Sequence, residues 1–175
     1  MLKTHSTVQL SSANRAKPPN ELNDRPKFNV VIIYEDRAAG GRAKHFYDNL
    51  IHELEDECDF CLDLWNFQVL AISAIWDSAL QVAGQADFVI LSLHGKAGLP
   101  VEIRELIETW SRLIADSTAV LIALVDKPQT RGGSAASTLA YLRSVATKTR
   151  IDFFAHTVFR RLQTRKDRTM ASRNC

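Results

Sequence analysis

Glu35 and Asp36 stand side by side directly after the apolar run FNVVIIY. Two adjacent carboxylates in that position could hold a hard cation such as Mg2+, which takes oxygen ligands and tolerates water in the rest of its shell. The plainer reading is charge marking where a buried strand meets water, since no third ligand is evident. Arg37 follows at once, His94 and Lys96 come after a second apolar run, DFVILSL, and Asp126 closes a third, TAVLIALV. Two Arg-flanked glycine segments, Arg37-Ala38-Ala39-Gly40-Gly41-Arg42 and Arg131-Gly132-Gly133-Ser134, stand before stretches of helical period. Amides at a helix start attract anions, and Arg would help. Neither segment matches a Walker motif or G-x-G-x-x-G, so ordinary helix-start turns are the expected reading over phosphate cradles. Cys58-x-x-Cys61 has metal-ligand spacing without a second pair, and His45 and His52 lack a third ligand, so no metal centre is expected.

These residues can act together only if the elements bearing them are neighbours. Apolar segments of strand length alternate with segments of helical period, the pattern of an α/β fold with a parallel sheet. Strands are expected at 28–34, 60–67, 87–93, 118–125 and 151–155. The first is β-branched and apolar on both faces, as a strand covered on both sides should be. Asp63 in the second argues for an edge position with one wet face.

A helix is expected after the first strand, with Ala43, Phe46, Tyr47, Leu50, Ile51 and Leu54 on one stripe. Another is expected over 69–83, with Val69, Ile72, Trp76, Ala79, Leu80 and Ala83 inward and Gly84 stopping it. After Pro100, Ile103, Leu106, Ile107, Trp110, Leu113 and Ile114 recur three and four apart, the clearest helix in the chain. Ser134 is a natural N-cap for a helix over 135–148.

Such an alternation is expected to build a three-layer, doubly wound parallel five-stranded sheet of flavodoxin-like type, order 2-1-3-4-5, with a Rossmann-type order as the rival. Strands one and three then flank the topological switch, and a ligand should sit beyond their carboxyl ends. That rule selects Glu35, Asp36, Arg37, His94, Lys96 and Asp126 as candidate ligand-binding residues.

The chain has 175 residues, 46% of them hydrophobic, and a formal net charge of +2. The near-neutral total conceals a division. Residues 1–26 carry +2, residues 156–175 carry six basic residues against Asp167 for +5, and the stretch between is therefore −5. We expect a disordered extension over 1–26, an α/β domain over 27–157 and a basic tail over 158–175. Within the body, Glu53, Glu55, Asp56, Glu57 and Asp59 crowd the end of the first helix, where the macrodipole disfavours negative charge. This is a solvated face or a docking surface for something basic, the chain's own tail or a partner protein. Nucleic acid would be drawn to the tail and repelled by the body, so it is not an expected partner. Three cysteines are too few for a disulfide-built scaffold, no apolar signal segment opens the chain, and no apolar run approaches the ~20 residues of a membrane span. A cytoplasmic protein without membrane contact is the expectation.

Over about residues 28–155 the chain resembles a response-regulator receiver domain, with Glu35 and Asp36 on the acidic pair after the first strand. Receivers carry a phosphoacceptor Asp after the third strand, a Ser/Thr after the fourth and a Lys after the fifth. Here those places hold Leu93-His94, Val125-Asp126 and His156. This resemblance implies a phosphorylation-independent pseudo-receiver.

The same span also resembles a Toll/interleukin-receptor (TIR) domain, in FNVVIIYEDR, LIHEL (50–54), ADFVILSL (86–93) and LPVEIREL (99–106). Glu105-Leu106 falls on the last two positions of the TIR Trp-Cys-x-x-Glu-Leu segment, whose Trp-Cys pair is replaced here, while NFQVLA (66–71) stands where the Arg-Asp-x-x-Pro-Gly box belongs. TIR enzymes use that Glu to cleave NAD+ by stabilising positive charge on the ribose. The resemblance thus implies Glu105 as the catalytic residue of an NAD+ hydrolase.

Because most functional positions of both families are changed, the leading expectation is a non-catalytic signalling or protein-interaction module, acting through a protein partner or self-association and needing no cofactor. The alternatives are a TIR-like NAD+-hydrolysing or nucleotide-processing enzyme using Glu105, and a flavin-binding protein.

Overall fold

A computed structural model of the chain describes residues 25–54, 56–126 and 133–158. The extension before residue 25, the tail after 158, Glu55 and the Arg131-Gly132 segment lie outside the described residues.

Five strands form one parallel sheet in the order β2-β1-β3-β4-β5, the expected flavodoxin-like arrangement. In chain order the elements are β1 (Lys27–Tyr34), α1 (Arg37–His52), β2 (Asp59–Asn66), α2 (Phe67–Leu70), α3 (Ser73–Ala83), β3 (Phe88–Leu93), α4 (Val101–Leu113), β4 (Val120–Asp126), α5 (Ser134–Thr149) and β5 (Asp152–Val158). The central strands are buried almost throughout because both faces are covered. Alternation along β1 divides the core. Val30 and Ile32 face α1, joining Ala43, Tyr47, Ile90 and Leu124. Val31 and Ile33 face the other way, toward α2 to α5. β2 is an edge strand, as Asp63 foretells, and both Asp63 and Leu64 are exposed.

The helix expected over 69–83 is two helices. Asn66 caps the short α2 by accepting from the Gln68 amide, the chain breaks after Leu70, and α3 begins at Ser73. The break rotates the stripe: Leu70 is buried at 1% exposure, while Val69 and Ile72 point outward. In α4, Ile103, Leu106, Ile107 and Trp110 are buried as expected, but Leu113 at the end of the helix is exposed. Ser134 is the first residue of α5 instead of its cap; Gly133 takes the cap position without a side-chain hydrogen bond.

Among the described residues no helix is long and apolar enough to cross a membrane.

Candidate functional site

The parallel sheet brings the carboxyl ends of β1, β3 and β4 to one edge. Glu35 and Asp36 leave β1, His94 leaves β3, and Asp126 is the last residue of β4. Their side chains converge on His94. Its Nδ1 lies 2.7 Å from Asp126 Oδ2 and its Nε2 2.9 Å from Asp36 Oδ2. Its backbone N–H donates to Glu35 Oε2 at 2.6 Å. With a carboxylate oxygen at each ring nitrogen, only the doubly protonated imidazolium can donate at both ends.

Asp36 does two jobs. Its Oδ1 accepts from the Ala39 amide at 2.9 Å, capping α1, while Oδ2 faces His94. The Ala39 amide, and after it His94, hold the Asp36 carboxyl below its ordinary value despite some desolvation. For His94, burial pulls the pKa down, but hydrogen bonds to Asp126 and Asp36 outweigh it and the net shift is upward.

The sequence pattern omits two members of this network, Arg42 and Ser92. Arg42 Nη1 pairs with Asp126 Oδ1. Arg42 Nη2 donates to Ser92 Oγ at 3.1 Å and to the Leu93 carbonyl at 2.9 Å. Ser92 is fully buried and donates its hydroxyl to the Ala39 carbonyl at 2.8 Å, fastening α1 to β3. Arg42 Nε is buried with no partner among the described residues.

The reading of residues 37–42 as a turn hides this. Those residues lie inside α1, which starts at Arg37, and Gly40 packs beneath Tyr34, where an added Cβ would lie 2.8 Å from the ring. A polar residue adjoining the Ala43 stripe is the signal that could have identified Arg42. Arg37 and Lys96 are exposed and join no ion pair among the described residues.

Glu105 lies on the exposed side of α4, outside this network. Cys58 and Cys61 are free thiols. Among the described residues no three His, Cys, Asp or Glu side chains form a metal-ligand set.

The turn after His94 is set by Gly95, with φ +67°. An added Cβ would lie 2.6 Å from Ala135 Cβ and 2.8 Å from Val125 Cγ1. Gly95→Ala combines left-handed backbone strain with overpacking and is expected to cost about 2–4 kcal/mol. Urea unfolding measures this; an unchanged midpoint would show that the turn relaxes.

No family model matches the sequence, and no curated protein matches it. The solved structures distantly similar to it include the following two. The Trp repressor binding protein from Bacillus subtilis is 10% identical over 74% of this chain and 83% of its own, with a TM-score of 0.48. A thermophilic tryptophan halogenase from Streptomycin violaceusniger is 11% identical over 74% of this chain and 85% of its own, with a TM-score of 0.42. The fold assignment stands on sheet order and connectivity alone.

Proposed function

We propose that the chain is a non-catalytic signalling or protein-interaction module, of pseudo-receiver or TIR-like type, on the flavodoxin-like scaffold. One observation carries this reading: the charged groups at the strand ends are spent on one another. His94 spans Asp36 and Asp126, and Arg42 closes the other side of Asp126. In folds of this order that edge is where ligands bind. A cation or substrate entering here must first break ion pairs in which His94, Asp126 and Arg42 are largely buried and Asp36 is half-exposed, so the network works as a fastening between β1, β3, β4 and α1. The exposed Glu53, Asp56 and Glu57 beyond α1 form an acidic surface suited to a basic partner or a second copy's tail.

Incubation of the purified chain with NAD+ tests the reading. No nicotinamide is expected to be released, and no flavin absorbance is expected to be retained after mixing with FMN. Nicotinamide release that Glu105→Ala abolishes would replace this reading with the enzymatic one.

A further inference from the structure

A cavity of about 140 Å³ opens between the loop that follows His94, α4 and α5. Its wall is mainly apolar, with a row of hydroxyls set into it. Ser134, Ser137, Thr138 and Tyr141 are spaced three and four apart, so they lie along one face of α5, and all four line the cavity. Arg104 of α4 lines it from across, its guanidinium 4.6 Å from the centre of the Tyr141 ring. Arg104 has no carboxylate partner among the described residues, although its stacking holds it in place.

Thr138 is the most informative residue. It is only 4% exposed, yet its hydroxyl has no hydrogen-bond partner among the described residues, and it lines the cavity. Thr147 and Thr149 on the same helix turn their hydroxyls back to backbone carbonyls. The Thr138 oxygen is not itself sealed from solvent: it opens to the cavity, where water or a ligand satisfies it. The start of α5 adds to this: Gly133 caps it with no side chain, its carbonyl takes the Ala136 and Ser137 amides, and the Ser134 and Ala135 amides have no partner among the described residues.

We propose that this cavity binds the phosphate group of a small phosphomonoester with a short apolar body. Its oxygens would accept from Arg104, from the Ser134, Ser137 and Thr138 hydroxyls and from the first amides of α5, while Leu99 and the Tyr141 ring cover the apolar part. Glu108, a carboxylate on the Tyr141 side, accepts from the Tyr141 hydroxyl at 2.8 Å. That phenol, raised to about 12 by burial and then by Glu108, stays a donor and keeps the carboxylate turned to it. The site is independent of the strand-end network and of the interaction-module reading.

Amide NMR of the full chain, titrated with phenyl phosphate, with inorganic phosphate and with sodium chloride at matched ionic strength, tests the proposal. Saturable shifts are expected at Gly98, Ser134, Ala135, Ser137 and Thr138 with both phosphates, tighter for the phenyl ester, and not with chloride. Inorganic phosphate binding as tightly as the ester would remove the apolar part of the assignment. Arg104→Gln, an exposed substitution that leaves the core untouched, is expected to weaken binding about tenfold. Thr138→Val, nearly isosteric, should weaken it severalfold. Absence of saturable shifts, their reproduction by chloride, or equal affinity in Arg104→Gln would overturn the proposal.

Discussion

Trp110→Ala is expected to destabilise the fold by about 3–5 kcal/mol, the cost of removing a buried indole from a core that closes only partly around the gap. Trp110 is 1% exposed and sits in the larger core cluster, where α4 meets α3 and the sheet. Its Nε1 also donates to the Ala83 carbonyl at 2.7 Å, joining α4 to the end of α3. Those two contributions separate in Trp110→Phe, which retains most of the apolar contact and loses the hydrogen bond. Ala83 O also accepts from the Ala86 amide, so that carbonyl is not orphaned, and the bond's loss is expected to cost about 1 kcal/mol. Leu113 supplies the internal control. It belongs to the same periodic stripe but is 63% exposed, so Leu113→Ala should change stability by no more than about 0.5 kcal/mol. Urea unfolding of the three variants checks the set; equal losses for Trp110→Ala and Leu113→Ala would show that the indole is not a keystone.

The contrast between Trp110 and Leu113 shows what periodicity conveys. Spacing alone identifies the buried face of α4, but Leu113 stands off the margin of that face, since Ile114, one residue further on, is buried at 8% exposure. In α2 and α3 the limit is sharper. Val69 and Ile72 fit a continuous helix with Trp76 and Ala79, and no Gly or Pro marks the break. Asn66 supplies a competing local signal by capping α2, and Leu70 is the side chain the core takes instead.

Strand order was legible because β1, β3 and β4 are apolar on both faces while Asp63 marks an edge. That order places Glu35, Asp36, His94 and Asp126 at one sheet edge. It does not convey that they would bond to one another. Arg42 decides that, reaching from α1 across to β3 and β4, and its reach depends on Gly40 letting the helix close against Tyr34.

The network should make stability depend on pH in a direction its geometry dictates. Asp126 lies between Arg42 and His94, with side-chain exposures of 15% for Arg42, 12% for Asp126 and 14% for His94. Asp126→Asn leaves two cations sharing a largely buried site without their common counter-charge. The expected cost is about 3 kcal/mol, the low end for a broken buried pair because some solvent access remains. His94 titrates against Asp126 and Asp36 at its ring nitrogens, with Glu35 at its backbone N–H and Arg42 behind Asp126. Its pKa in the folded chain is raised above 6.5, so the folded state binds the proton more tightly than the unfolded state. That stabilisation is complete below pH 6.5 and disappears as pH rises through the folded value. Asp36 acts in the opposite direction. Its pKa is lowered from 3.8, so its contribution is present above that pH and disappears as acid protonates it in the fold. Stability to urea should therefore be highest between these two limits and decline toward alkaline pH. In His94→Gln the alkaline decline should vanish while the acid limb persists, since the Ala39 amide still holds Asp36. A wild-type chain whose urea midpoint stays level from about pH 5 to pH 9 would show that the His94 pKa is the same in the folded and unfolded chain, so that the two carboxylates do not hold its proton.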